Sequence, residues 1–231
     1  EIYTLSLHDA LPISSWVTTI YFSVPERDFS YTAGQYITVF FEDSSTPEGK
    51  AYSFSSAPHE PLKSITVKKV GEYSGRLHDL RVGDTFLISA AYGSFNPQSD
   101  APLVGISAGC ALAPIWSIVK DELHKKPDRK INLFVSSKTV AELVFADRLA
   151  DYENKFINLK IHRHITRQAE LPNGMRRGRI DLDACVEIGG TQAAYAICGS
   201  VDFVRSMWRG LVDRGLDRKS TRLNSSHPAG S

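Results

Sequence analysis

The sequence predicts an antiparallel β-barrel or sandwich followed by a doubly wound parallel α/β domain. Short β-rich segments fill residues 16–99, and from residue 102 the pattern changes to alternating strands and helices. The chain has 231 residues, 42% hydrophobic and 23% charged, which suits one large or two modest globular domains and excludes disorder as the main state.

In the first half, WVTTIYFSV (16–24), YITVFF (36–41), AYSFSS (51–56), SITVKKV (64–70) and DTFLIS (84–89) are rich in β-branched and aromatic residues. Turn clusters such as Thr32-Ala33-Gly34 and residues 44–49 separate them, and one short helix is predicted near 74–80. In the second half, PLVGIS (102–107) is a nearly continuous apolar run, as expected of a strand covered on both faces. Pro114 suits the first turn of a helix, and Ile115, Ile118, Val119 and Leu123 follow at helical spacing. INLFVS (131–136) is a second strand, and Val140, Leu143, Val144 and Leu149 mark a second helix. INLKIH (157–162) and AAYAIC (193–198) are further strands, and an apolar stripe from Phe203 to Val212 marks a helix that Gly215 ends. Residues 163–192 read as a long loop with a short turn. The boundary between the halves falls near residues 100–102.

Both ends look foreign. Residues 1–13 (EIYTLSLHDALPI) have no basic lead and no small-residue cleavage site, so a secretory signal is a poor reading. Residues 219–231 are polar and Ser-rich, and both ends resemble translated adaptor sequence. They are expected to lie outside the fold, leaving 14–100 and 101–218 as the two domains and a natural chain that continues past 218.

Several function classes start with little support. Lys plus Arg is 27 against 26 for Asp plus Glu, so no charge excess favours nucleic acid. Cys110, Cys185 and Cys198 lie too far apart for a CxxC, which argues against a zinc or iron–sulfur site, and a reducing, cytoplasmic setting is the default. Residues 101–119 carry no charge, yet Pro102, Gly105, Gly109 and Pro114 suit a strand, turn and helix start better than a membrane span. His59, His78, His124, His162 and His164 are scattered, with no nucleophile elbow to suggest a hydrolase.

Two segments carry cofactor chemistry. Lys50-Ala51-Tyr52-Ser53 puts a cation, a flat ring and a hydroxyl on one short strand, with residues 50 and 52 on one face and 53 on the other. Gly71-Glu72-Tyr73-Ser74-Gly75-Arg76 offers close backbone approach, a Ser74 cap, a phosphate-binding helix start and the charge of Arg76.

With these residues in view, 14–216 resembles the ferredoxin–NADP reductase superfamily. Lys50-Ala51-Tyr52-Ser53 is similar to the family's flavin-binding Arg-x-Tyr-Ser strand, and Gly71-Glu72-Tyr73-Ser74 to its Gly-x-x-Ser pyrophosphate turn. Ala33-Gly34-Gln35-Tyr36 looks like the Gly-Gln-aromatic turn, and Gly93-Ser94-Phe95 like the Gly-x-Phe exit from the barrel. The resemblance implies an antiparallel Greek-key FAD-binding barrel and a parallel-sheet NAD(P)-binding domain. It implies that Tyr52 packs on the isoalloxazine with Ser53 near N5, and that Lys50, Ala51, Val67, Lys69, Gly71, Tyr73 and Ser74 contact FAD. Lys50 keeps the charge of the usual Arg but not its planar fork.

The resemblance also places the nicotinamide dinucleotide on Ala108-Gly109-Cys110-Ala111-Leu112-Ala113-Pro114, where Gly109 and Pro114 match the family turn. Ala111 replaces a glycine and Ala113 a hydroxyl residue, so the turn keeps its helix start while losing a donor and gaining a methyl group. Cys198-Gly199-Ser200 is similar to the Cys-Gly-Pro corner beside the nicotinamide, which gives Cys198 a catalytic role alongside Tyr52 and Ser53. Ser136-Ser137-Lys138 falls where the adenosine ribose lies, with Lys138 able to attract a 2′-phosphate.

The function implied is hydride transfer from NADH or NADPH to FAD, then single electrons to a ferredoxin, flavodoxin, haem protein or oxygenase component, or to a fused [2Fe–2S] domain beyond residue 218. Membranes and nucleic acids are not expected partners. The family's closing strand is expected to be missing after Leu216. The alternative is an FAD-binding regulatory or electron-transfer subunit whose pyridine-nucleotide site has degenerated, which Ala111 and Ala113 keep open.

Overall fold

In the first half, alternating inward and outward side chains build β1 (Ile2–Ser14), β2 (Val17–Ser23), β3 (Tyr36–Phe40), β4 (Lys50–Ser53), β5 (Lys63–Lys68) and β6 (Thr85–Ser89). The computed structural model describes residues 2–14, 16–25, 29–41, 44 and 46–226. These strands pair antiparallel in the order β4-β3-β6-β1-β2-β5. The two outer strands then meet: Phe54 bridges Ile65, and Ser55 N–H donates to Ser64 O at 2.8 Å. The sheet closes into a barrel, which removes exposed strand edges. Its interior is filled by side chains such as Leu5, Ile20, Phe22, Phe54, Ile65 and Ile88, with Leu77 of α1 (Glu72–Asp79) packed among them.

The expectation that residues 1–13 lie outside the fold is overturned. β1 occupies the middle of the sheet between β6 and β2, and Leu5 and Leu7 are buried at 0% and 2% exposure. The alternation of buried Leu5 and Leu7 with exposed Thr4, Ser6 and His8 is that of a strand whose alternate side chains fill a core.

The second half is a six-stranded parallel sheet of β7 (Leu103–Ala108), β8 (Ile131–Ser137), β9 (Leu159–Ile165), β10 (Met175–Arg177), β11 (Ala194–Ser200) and β12 (Thr221–Ser226). The strand order is β10-β9-β8-β7-β11-β12, so the chain works outward from β7 to β10 and returns to the other side of β7. One face packs against α2 (Leu112–Lys125) and α3 (Ala146–Lys155), the other against α4 (Leu182–Gly189) and α5 (Val201–Val212). Gly105 is required in β7 because a Cβ there would meet Ile115 Cγ2 at 2.7 Å and Leu133 Cδ1 at 2.8 Å.

Three further expectations change. Residues 163–192 are not a long loop: they contain the end of β9, then β10 and α4, whose Asp181 cap accepts from Asp183 N–H at 2.9 Å. The helix expected over 140–149 splits into a 3-10 turn, Val140–Glu142, and α3, because Phe145 adopts φ 62 between them. The tail expected outside the fold from 219 supplies β12, parallel to β11, where the closing strand was thought missing.

Barrel and parallel sheet share one apolar core. Val17, Ala33 and Phe95 from the barrel side belong to the same cluster as Ile115, Trp116, Ile118 and Cys198. Gly34 has φ +92, and a Cβ on it would stand 3.0 Å from Ile118 Cδ1, so its bare backbone lets the barrel sit against α2. Among the described residues no helix is long and apolar enough to cross a membrane.

Candidate functional site

In open parallel sheets, ligands gather where strand order reverses, at the carboxyl ends of the strands. Here that point lies between β7 and β11, whose chains leave in opposite directions after Ser107 and Cys198, paired neighbours in the sheet. A 3-10 turn, Gly109–Ala111, follows β7 and leads into α2. This turn touches β11 and β8 within its own sheet, and β5 of the barrel. Since β5 adjoins β4 through the Phe54–Ile65 bridge, Tyr52, the β5 end, the Gly109 turn and the Cys198 corner border one seam.

On the barrel side, two of the predicted motifs are bolted together. Gln35 Nε2 donates to Gly93 O at 3.1 Å, and Tyr36 and Tyr92 exchange backbone hydrogen bonds of 2.9 Å. Tyr36 in turn pairs with Ser53, so these turns fix the register of β4. Ala51 is exposed, while Lys50, Tyr52 and Ser53 are half-buried. The Tyr52 ring packs against the barrel interior, and burial, reinforced by Tyr73, holds its hydroxyl well above the usual phenol range.

The α1 start differs in one respect from expectation. Ser74 is not the cap but the third helical residue, and Gly71 takes the cap position. The Ser74 hydroxyl reaches back, accepting from Val70 N–H at 2.9 Å and Gly71 N–H at 3.1 Å. A Cβ on Gly71 would meet nothing within 4 Å, so open space lies above this helix start. Tyr73 is buried and its hydroxyl donates to Val39 O, while the Arg76 guanidinium lies 4.2 Å from the centre of the Phe41 ring. Val67 is buried, and Lys69 pairs with Asp79 at 3.7 Å.

On the other side of the seam, Gly109 has φ +58 and a Cβ there would also meet nothing within 4 Å. No side chain caps the turn or α2, whose first turn carries no acidic residue. Ala111 is half-buried, while Ala113 and Pro114 are buried and help seat the helix. Gly199 is fixed by packing, since a Cβ on it would run into the Phe203 ring, and Ser200 caps α5 by accepting from Phe203 N–H at 3.3 Å.

The thiols here are neutral groups. Burial pushes Cys110 up to about 11, partly offset by the nearby Lys68 ammonium. Cys198 is 2% exposed and burial pushes it up to about 12. At the β8 end, the Ser137 hydroxyl is turned inward, donating to Thr139 O at 2.7 Å, and Lys138 is exposed.

Three functional candidates escaped the sequence reading. Lys68 is exposed on the seam beside Cys110. Arg167 is exposed and its N–H donates to Lys138 O at 2.8 Å, setting two cationic residues together at the carboxyl end of the sheet. Ser107 Oγ is buried without a hydrogen-bond partner among the described residues, two residues before the turn begins. The cavity of about 330 Å³ lined by Asp100, Lys126 and Arg129 lies at the opposite, amino end of β7 and β8.

Comparison with known proteins agrees with this layout. Residues 106–208 match the family model described as an oxidoreductase NAD-binding domain. A flavohemoprotein of Bacillus subtilis is 33% identical over 195 residues, covering 80% of this chain and 49% of the relative. A solved structure, the flavohem-like FAD/NAD-binding domain of nitric oxide dioxygenase from Vibrio cholerae, superposes with a TM-score of 0.86 at 22% identity over 98% of this chain and 99% of that one. A ferredoxin–NADP+ reductase from Neisseria gonorrhoeae, solved with bound FAD and NADP, gives a TM-score of 0.80 at 20% identity, covering 97% and 98%. The chain thus spans about half the length of the curated relatives it matches.

Proposed function

Because the chain belongs to the ferredoxin–NADP reductase-like superfamily, we propose that it is an NAD(P)H-dependent, FAD-containing reductase serving a protein-borne electron acceptor. The observation that carries the reading is the seam, where a barrel strand with Tyr52 and Ser53 and the Gly109 turn converge around two glycine-led helix starts. Each start has open space where a Cβ would stand, and the leading N–H groups of α1 and of the Gly109–Ala111 turn precede any helical acceptor, the kind of donor a pyrophosphate needs.

Lys50, Tyr52, Ser53 and the Gly71–Ser74 segment would hold FAD, and Gly109, Cys110, Lys68 and the Gly199-Ser200 corner the nicotinamide dinucleotide. When bound, the two cofactors supply the hydride chemistry themselves. The chain's residues place the rings, exclude water and keep charge away from the reacting atoms. Cys198, neutral and packed in the core, suits a surface for an uncharged ring better than a proton donor. Lys138 and Arg167 together favour a phosphorylated ribose, hence NADPH. The thiols accord with a reducing, cytoplasmic setting, and the acceptor is read as a haem, iron–sulfur or flavodoxin partner.

The protein reconstituted with FAD should be yellow, lose its colour under anaerobic NADPH faster than under NADH, and regain it when a one-electron acceptor such as ferricyanide is added. Failure to bind FAD would defeat the reading. A yellow protein indifferent to both nicotinamides would favour a regulatory or electron-transfer subunit, the reading that the Ala111 methyl group and the missing hydroxyl at Ala113 support.

A further inference from the structure

A second set of contacts ties the two halves together away from the seam, on the β4–β5 connection. Ser117, fully buried on α2, donates from its hydroxyl to Ser56 O at 2.5 Å across the domain boundary. One turn further along, Lys120 forms an ion pair with Glu60, its own side chain 4% exposed and that of Glu60 28%. The Glu60 carboxylate also accepts from Ala57 N–H at 2.5 Å, and Lys63 Nζ donates to Pro58 O at 3.0 Å and Glu60 O at 2.7 Å. Ser56 O accepts in addition from Tyr31 OH at 3.0 Å. The connection is therefore held rigid before α2 grips it.

Both ends of this clasp are close in sequence to the seam. Ser56 is three residues beyond Ser53, within about 10 Å of extended chain. Ser117 lies on α2 five residues after Leu112, about 7.5 Å of helical rise from the first residue that follows the Gly109 turn. The path from the Tyr52 strand through Ser56, Ser117 and α2 to the Gly109 turn contains no free linker.

We propose that the Ser117–Ser56 hydrogen bond and the Lys120–Glu60 ion pair are positioning contacts that set the separation of the barrel strand and the nucleotide turn, and so the rate of hydride transfer. This rests on the reductase reading above. None of the four residues is assigned to a cofactor contact; they act through α2 and the β4–β5 connection. Hydride transfer is sensitive to such placement, because a displacement of about 1 Å can cost on the order of 100-fold in rate.

The test uses the full chain carrying FAD, with Ser117→Ala and Lys120→Met compared with wild type. Ser117→Ala should fold, since Ser56 O keeps its Tyr31 donor. The limiting rate of anaerobic flavin bleaching should fall roughly tenfold in each variant. FAD content and the calorimetric dissociation constant for NADP+ should stay within about twofold, because the cofactor contacts are intact. Amide hydrogen exchange should quicken over residues 54–60 and at the start of α2, and not in β1 or β2. Glu60→Gln should reproduce the Lys120→Met result. Variants that bleach at the wild-type rate overturn the proposal, as does a rate loss that merely follows loss of FAD. A wild-type protein that NAD(P)H fails to bleach is a separate result, which defeats the reductase reading and the clasp with it.

Discussion

At the start of α1, the Ser74 hydroxyl accepts from Val70 and Gly71 N–H and holds the turn in shape. At the start of α2, no side chain does this work: Ala108, Ala111 and Ala113 have no polar atoms to offer, and Gly109 alone makes the turn through its positive φ. Gly71 is extended, at φ −178, so its lack of a side chain serves approach and not backbone freedom. The same glycine-led helix start is thus reached by two routes. One is braced by a hydroxyl and the other by backbone geometry, with Leu112 N–H donating back to the carbonyls of the Gly109–Ala111 turn.

The sharpest way to break this contrast is one substitution placed at both glycines. Gly109→Val forces a β-branched residue into the left-handed region at about 1–2 kcal/mol, or a melting point lower by roughly 2–8 °C for a chain of this size. It should retain FAD while the rate of nicotinamide-driven bleaching falls more than about tenfold. Gly71→Val should leave the melting point of the FAD-free protein nearly unchanged and lower FAD affinity instead. Equal losses of stability at the two sites would show that the starts are not built differently.

A mirrored pair of capping changes should act less strongly. Ser74→Ala removes the acceptor for two backbone donors, which should cost about 1 kcal/mol and weaken FAD binding several-fold. Ala108→Ser adds an acceptor in front of the open turn, where Ala108 is extended, at φ −131 and ψ 125. It should stabilise the protein by about 1 kcal/mol and weaken nucleotide binding by engaging the same N–H groups. Chemical denaturation and calorimetry separate the two effects.

The smallest effect at neutral pH concerns Cys110, which has no counterpart at α1. Its thiol stays protonated in the folded chain up to about pH 11, against a usual value of 9.0. Unfolded, it ionises first, so stability should be constant below about pH 9 and decline between there and about 11. A Cys110→Ser variant should show a shallower decline in melting temperature, and native Cys110 should resist alkylation at neutral pH.

Much of this contrast was legible in the sequence, because glycines, Pro114 and β-branched runs act locally. Barrel strands β2 to β6 follow from β-branched and aromatic runs between turn clusters, and the β7–α2–β8 unit from apolar runs, Pro114 and helical spacing. What was not legible depends on partners distant in the chain. Glu60 and Lys120 carry no local signal, and only the fold pairs them and buries the lysine. Ser74 looked like a cap because the sequence does not say which residue turns the helix. β10 and α4 were hidden in 163–192 because a three-residue strand and an eight-residue helix carry too few apolar positions to set a period. β1 was set aside on its unfamiliar composition, although Leu5 and Leu7 already alternate as a core strand should.

The insertion of Val17, Ala33 and Phe95 into the core beneath α2 also constrains how such proteins can be recombined. A crossover that grafts a foreign C-terminal half onto this barrel must supply a surface complementary to those three side chains and to the bare backbone of Gly34. Truncating Phe95 to alanine alone removes packing worth about 3–5 kcal/mol. The two lobes are therefore expected to melt in one cooperative transition, and successful chimeras to inherit this contact as a matched set.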